Sequence, residues 1–316
     1  MEHKEIIING KEVLPGQYKT FNISIARLPS RTEIEIPVMV HRSKKEGPVV
    51  LLSAGMHGNE VNGVEIIRRI IKEKIYNHID KGTLILIPII NIYGFLHFRR
   101  TTPDGKDLNR SFPGSQNGSL ASMIAWAVTN KILPLVDMGI DFHTGGDMRT
   151  NYPQIRADMS FNENEELACA FGAPFVMNMP VLDSTFRKTA QKQGKSILVY
   201  EGGESMRFDD FVIEQAIMGT KRYLNYLGMS KFEVSAPHYH HIHKTSWVRA
   251  RSSGMFRSLV QYGEKVKKNQ IIGIITDPYG EHEQKQKSPN AGFVIGLNNI
   301  SIVNKGDALF HIGVEV

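Results

Sequence analysis

The chain has 316 residues, 41% hydrophobic and 22% charged, enough for one large domain plus a small one with a real core. A formal charge of +6 is mildly basic, but the basic residues are scattered, and even the densest short run, 265–268, is broken by Val266. Nucleic-acid binding, which needs a basic face interleaved with stacking aromatics, is therefore not expected, whereas small anionic ligands suit the charge.

A single cysteine, Cys169, rules out an intramolecular disulfide and fits a reducing compartment. The N-terminal residues are charged and lack the apolar stretch of a secretory signal. The longest apolar run, 84–96, is interrupted by Pro88, Asn91 and Gly94 and is too short to span a bilayer. A cytoplasmic protein without membrane contact is the expectation.

In chain order, residues 1–39 alternate apolar and polar side chains and read as strands extending the edge of a first domain. Residues 49–52 form a short buried strand. A helix follows over 61–74, with Val64, Ile67, Ile71 and the following Ile75 on one stripe. Further buried strands are predicted at 84–89, 139–142 and 197–200, and further helices at 119–133 and 209–227. Strands alternating with helices define an α/β fold with a mixed, largely parallel sheet flanked by helices. Beyond about residue 235 the texture changes to short strands at 247–250, 254–258, 270–276, 292–295, 301–303 and 309–312, separated by glycine turns. The expected division is a domain over 1–235, with a β extension over 1–40, and an all-β module over 236–316.

Chemistry concentrates where buried strands end. After 49–52 comes Ser53-Ala54-Gly55-Met56-His57-Gly58-Asn59-Glu60, an imidazole and a carboxylate three residues apart at a helix start. Alone, the pair reads equally well as a polar helix start or as two ligands of a two-histidine, one-glutamate metal site. His143 follows the strand 139–142, and Glu201 follows 197–200. The C-terminal ends of strands are where open α/β sheets bind ligands, so these segments should converge. Taken alone, His143 reads as a hydrogen-bonded histidine and Glu201 as a solvated strand end; together they fit a metal site with a general base. The loop from Arg99 and Arg100 through Asp107, Asn109 and Arg110 suits recognition of a carboxylate, or else is a solvated charged loop.

His57-Gly58-Asn59-Glu60, Asp107-Leu108-Asn109-Arg110, Asp141-Phe142-His143 and Glu201-Gly202-Gly203 occur in an order that resembles the zinc carboxypeptidase superfamily, in its succinylglutamate desuccinylase/aspartoacylase branch. The likeness spans about 49–206 by motif, and a C-terminal β module is typical of that branch. The resemblance implies one Zn2+ per chain held by His57, Glu60 and His143, with Glu201 as general base and acid. It implies Arg100 as the carbonyl-polarising, oxyanion-stabilising group, with Arg99 as the rival register. Asn109 and Arg110 would grip a substrate carboxylate, and Asp107 would orient His57. The implied activity is hydrolysis of the amide of a small anionic N-acylated amino acid by metal-activated water. The alternatives are a peptide metallocarboxypeptidase and a non-catalytic zinc or ligand-binding protein.

Three features stand outside that reading. The cluster His238-Tyr239-His240-His241-Ile242-His243 reads as a solvated interdomain strand rather than a second metal site. The terminal module resembles a lipoyl-type barrel-sandwich, but residues 281–287 lack the context of a carrier lysine; a scaffold bordering the site or a homo-oligomer interface is the expected role. Arg149, Arg156 and Arg187 read first as surface arginines and second as receivers of another substrate carboxylate. Specificity is expected in loops at 150–159 and 178–187.

Overall fold

The computed structural model of the chain describes residues 5–27, 30–146 and 148–315. Strands β1 (Ile7–Ile8) and β2 (Lys11–Glu12) form a small hairpin. β3 (Tyr18–Arg27) and β4 (Glu33–Arg42) are antiparallel and lie at one edge of the main sheet, as their alternating pattern implies. β5 (Lys45–Ala54) is buried along its last six residues. Val50, Leu52 and Ala54 enter one core and Val49 and Leu51 the other, so its apolar run reflects helices on both faces.

α1 (Val61–Lys72) buries Asn62, Gly63, Ile66, Ile67 and Ile70, a stripe turned from the expected one; Val64 and Ile71 are only partly covered. Gly63 explains the rotation. A Cβ at that position would lie 2.7 Å from the Phe142 carbonyl oxygen and 3.0 Å from the Ala54 Cβ, so the glycine face lies directly on the sheet. β6 (Lys81–Ile87) stops short of the expected end at Pro88, which has no N–H for the ladder.

After α2 (Ile92–Leu96), α3 (Leu120–Ala127) continues as a π turn over Val128–Ile132 and a 3-10 turn over Leu133–Leu135. Then come β7 (Met138–Gly145), β8 (Arg149–Ala157), α4 (Asn164–Phe171), β9 (Phe175–Asn178), α5 (Phe186–Lys192), β10 (Ser196–Glu204) and α6 (Asp210–Tyr226). The hydrophobic pattern misses β8, β9, α4 and α5. In β8 the reason is chemical: its buried positions include Asn151 and Gln154, so no apolar alternation marks it. The expected loop at 150–159 is thus mostly a strand.

The remaining strands are β11 (His240–Arg249), β12 (Gly254–Ser258), β13 (Lys265–Val266), β14 (Ile271–Thr276), β15 (Glu283–Lys287), β16 (Gly292–Asn298), β17 (Ile302–Val303) and β18 (Ala308–Glu315). Over the described residues the main sheet runs β13-β16-β18-β11-β9-β8-β10-β7-β5-β6-β4-β3, with a further pairing of β16 to β8. A second sheet runs β15-β14-β12-β17. The β-rich tail has its own core around Val248, Phe256, Ile272 and Phe310, but one of its layers is the end of the sheet that carries the helices. The histidine cluster lies at this junction: His238 and His243 are exposed, as a solvated interdomain strand implies, whereas His240 and His241 are half-buried and Ile242 is buried. β11 pairs with β9 and β18, and His240 packs on Phe293 at 4.5 Å between ring centroids and bonds Glu315.

β5, β6, β7 and β10 are mutually parallel where they pair, so the C-terminal ends of β5, β7 and β10 sit side by side. No helix among the described residues is long and apolar enough to cross a membrane. Gly63→Val should cost about 1–3 kcal/mol by forcing α1 off the sheet. An unchanged urea midpoint in chemical denaturation would show that the helix does not rest there.

Candidate metal centre and its cavity

The turn leaving β5 carries His57 and Glu60. Gly58 makes the turn feasible, since a Cβ there would collide with the backbone of Gly94 and Phe95. Glu60 occupies the N-cap position of α1 but makes no capping bond to the helix. Its oxygens turn inward instead. Oε1 lies 2.6 Å from His57 Nδ1 and Oε2 lies 2.8 Å from Nδ1 of His143 on β7. The three expected ligands are thereby brought together, all buried, with ligand atoms within 4.8 Å of one another.

Behind each imidazole stands another carboxylate. His57 Nε2 is 3.1 Å from Asp107 Oδ1, and His143 Nε2 is 2.8 Å from Asp141 Oδ2. Asp141 is itself held by the Ser53 hydroxyl, which donates at 2.7 Å. Nδ1–H donates to a Glu60 oxygen in each case, and with Nε2–H given to Asp107 and Asp141, loss of the Nδ1 proton would free both Nδ1 lone pairs for an ion. Two imidazole nitrogens and one carboxylate are the donor set of a catalytic zinc site that keeps an open position, so the residues fit that ion. Sequence reasoning names Asp107 and misses Asp141. A signal existed: residues two apart on a strand share a face, as Asp141 and His143 do.

The charges in this cluster favour a cation. Burial alone would lower the pKa of His143, yet Asp141 and Glu60 raise it well above the ordinary value; Glu60 and Asp107 likewise outweigh burial at His57. Burial would push Glu60 and Asp107 up, but the neighbouring imidazoles, joined at Asp107 by Arg100, hold both carboxyls well below their usual range.

The trio opens on a cavity of about 280 Å³. Arg100 lines it, donating to Asp107 Oδ2 through Nη2 at 2.9 Å and to Glu60 Oε1 through Nη1 at 3.2 Å. Arg99 is exposed and borders a different hollow with Tyr93 and Thr102, so only Arg100 faces the cluster. Asn109 accepts the Phe186 N–H on Oδ1 at 3.0 Å and lines the cavity beside the exposed Arg110. Glu201, whose register partner on β7 is His143, accepts from Arg156 Nη1 on Oε1 and from Asn151 Nδ2 on Oε2, both at 2.9 Å.

Arg149, Arg156 and Arg187 also line the cavity, which corrects the reading of them as surface arginines. Burial, and then the charge of Arg156, pushes Arg187 down to about 10. Its Nη1 is buried and meets no hydrogen-bond partner among the described residues. Within 178–187, Leu182, Thr185 and Arg187 reach the cavity. The far wall comes from the C-terminal module, expected as a scaffold bordering the site, although sequence reasoning names no residue of it. Trp247 and His311, register partners on β11 and β18, stack with centroids 4.2 Å apart and planes within 3°. Burial and then Arg156 push His311 down to about 3, leaving a neutral imidazole at neutral pH.

Fold and cavity together define an α/β protein built around a His–Glu–His candidate metal centre at the C-terminal edge of its sheet. The family model for the succinylglutamate desuccinylase/aspartoacylase catalytic domain matches residues 46–227, and the chain belongs to that family. It is 28% identical to the N-alpha-acetyl-L-2,4-diaminobutyric acid deacetylase of Halomonas elongata, over 87% of this chain and 84% of the relative. Among solved structures it resembles a succinylglutamate desuccinylase/aspartoacylase of Rhodobacter sphaeroides, at 25% identity and TM-score 0.83, covering 95% of this chain and 96% of that one. It shares the fold of the product-bound ectoine utilization protein EutE (DoeB) of Ruegeria pomeroyi, at 22% identity and TM-score 0.85, with 99% of each chain covered.

Asp141→Asn should weaken zinc affinity by roughly 10- to 100-fold, because the amide no longer fixes the His143 tautomer. Competition with a chromogenic chelator measures this, and unchanged affinity would separate Asp141 from the site.

Proposed function

We propose that the chain is a zinc-dependent deacylase that hydrolyses the amide bond of a small N-acylated amino acid. The observation that carries this reading is one small cavity shared by His57, Glu60, His143, Arg100 and Glu201. The named activity of the Halomonas elongata relative supports it. Bound zinc would act as a Lewis acid on the carbonyl and lower the pKa of water from ~15.7 to ~7.

The residues of the chain supply the rest. Glu201 takes a proton from the attacking water and passes it to the leaving amine. Arg100 presents its guanidinium where charge builds on the carbonyl oxygen. Asn109 and Arg110 grip the carboxylate of the amino acid, as a planar fork beside an amide can. Arg187, half-buried and with a buried Nη1 that meets no partner among the described residues, favours substrates with a second anionic group. The half-buried, unpaired Cys169 fits work in the reducing cytoplasm.

Glu201→Gln should retain zinc and lose most of kcat; full turnover by that variant would remove Glu201 from the reaction. Arg100→Ala should lower kcat by ~10²–10³, with Arg99→Ala near wild type. The reverse pattern would move the oxyanion role by one residue. A panel of N-acetyl and N-succinyl derivatives of acidic, neutral and diamino acids, with short peptides alongside, tests the substrate class. Dianionic amides should give the highest kcat/KM, and Arg187→Ala should raise KM for these most.

A further inference from the structure

Both oxygens of Glu201 are already engaged, and one engagement is braced from the C-terminal strands. Arg156 Nη1 donates to Oε1 and Asn151 Nδ2 to Oε2. Arg156 is not free to swing. Its Nε donates to Gln154 Oε1 at 3.1 Å, and Gln154, fully buried, donates through Nε2 to the carbonyls of Tyr152 and Ile295, each at 3.1 Å. Gln154 and Arg156 are two apart on β8 and share a face, whereas Asn151 has the opposite parity. The pairing of β10 with β8 breaks register between Glu201 and Gly203, and both Asn151 and Arg156 reach the same carboxylate.

The geometry points to Arg156 as a positioning residue that acts through Glu201, itself braced by Gln154 and the β16 carbonyl of Ile295. The inference rests on Glu201 being the general base. A glutamate side chain has several rotamers, and one donor on each oxygen selects one of them. The two bonds also differ in kind. The charge-assisted bond from Arg156 falls on Oε1, while Oε2 has only the neutral amide of Asn151 and is the less firmly held oxygen. In the reaction a water O–H bond breaks as an Oε2–H bond forms, and the proton then leaves Oε2 for the departing nitrogen. Arg156 gains and loses no proton in these steps and acts by holding Glu201.

The test is a double-mutant cycle on the zinc-loaded full chain, with metal content and Tm measured for every variant. Arg156→Gln should lower kcat about 10- to 100-fold, part of the whole general-base effect, with KM changed less than threefold. Arg156→Lys should recover part of the loss. Gln154→Met should show a smaller loss of the same kind. In a Glu201→Gln background Arg156→Gln should cost nothing further, as expected of residues that act as a unit.

Wild-type kcat in Arg156→Gln, or a rise in KM alone, overturns the inference, the latter in favour of a direct substrate contact. So does an activity loss proportional to lost zinc or lost folded protein. If Glu201→Gln is inactive and Arg156→Gln still imposes its full penalty on that background, the positioning role fails while Glu201 remains the base. If Glu201→Gln is fully active, the general-base reading fails and takes this one with it.

Discussion

The structure turns on a carboxylate buried between two imidazoles. Glu60 is almost wholly out of solvent, and an ionised carboxylate there is costly unless each oxygen is matched. His57 and His143 match one oxygen each, and Asp107 and Asp141 match the far nitrogens of those rings. The chain of dependence runs on to Ser53 behind Asp141 and to Arg100 and the Asn109 N–H behind Asp107. Two strand ends and one long loop therefore have to be in register at once. Parallel pairing of β5 and β7 supplies that register, and Gly58 and Gly63 let the turn and helix press close enough to use it.

The C-terminal strands are more than an appendage to this arrangement. They extend the main sheet, place the Trp247–His311 stack across the cavity, and reach the carboxylate of Glu201 through Gln154 and Arg156. His311 is neutral because burial and Arg156 both disfavour its charge, so this wall adds no further cation to a cavity already rich in arginine. One wall of the cavity and the setting of Glu201 thus depend on a part of the chain far in sequence from the candidate metal ligands.

Much of the site was legible because its residues follow apolar strands, whose ends are easy to see. His57, Glu60, His143 and Glu201 all stand there. Arg100 and Asp107 were legible through the motif they share with Asn109 and Arg110, although only the turn of the backbone at 98–100 separates Arg100 from Arg99. Asp141 was missed despite its spacing to His143. Arg187 and Arg156 were undervalued because an arginine in a polar stretch gives no local sign of burial. β8 was missed for the same reason: Gln154 and Asn151 are polar side chains that face inward to meet other polar groups, which breaks the pattern that usually marks a strand.

By itself the sequence determined the α/β alternation, the order of the four motifs and the types of donor at the candidate centre, since these depend on local periodicity and residue chemistry. It did not determine which helix stripe is buried, where the β-rich tail attaches, or which arginines meet carboxylates. Those depend on long-range pairing: α1 turns to seat Gly63, β11 and β16 join strands far earlier in the chain, and Arg156 finds Glu201 across a broken register. Local patterns carry no record of such partners, so the tertiary structure decided them.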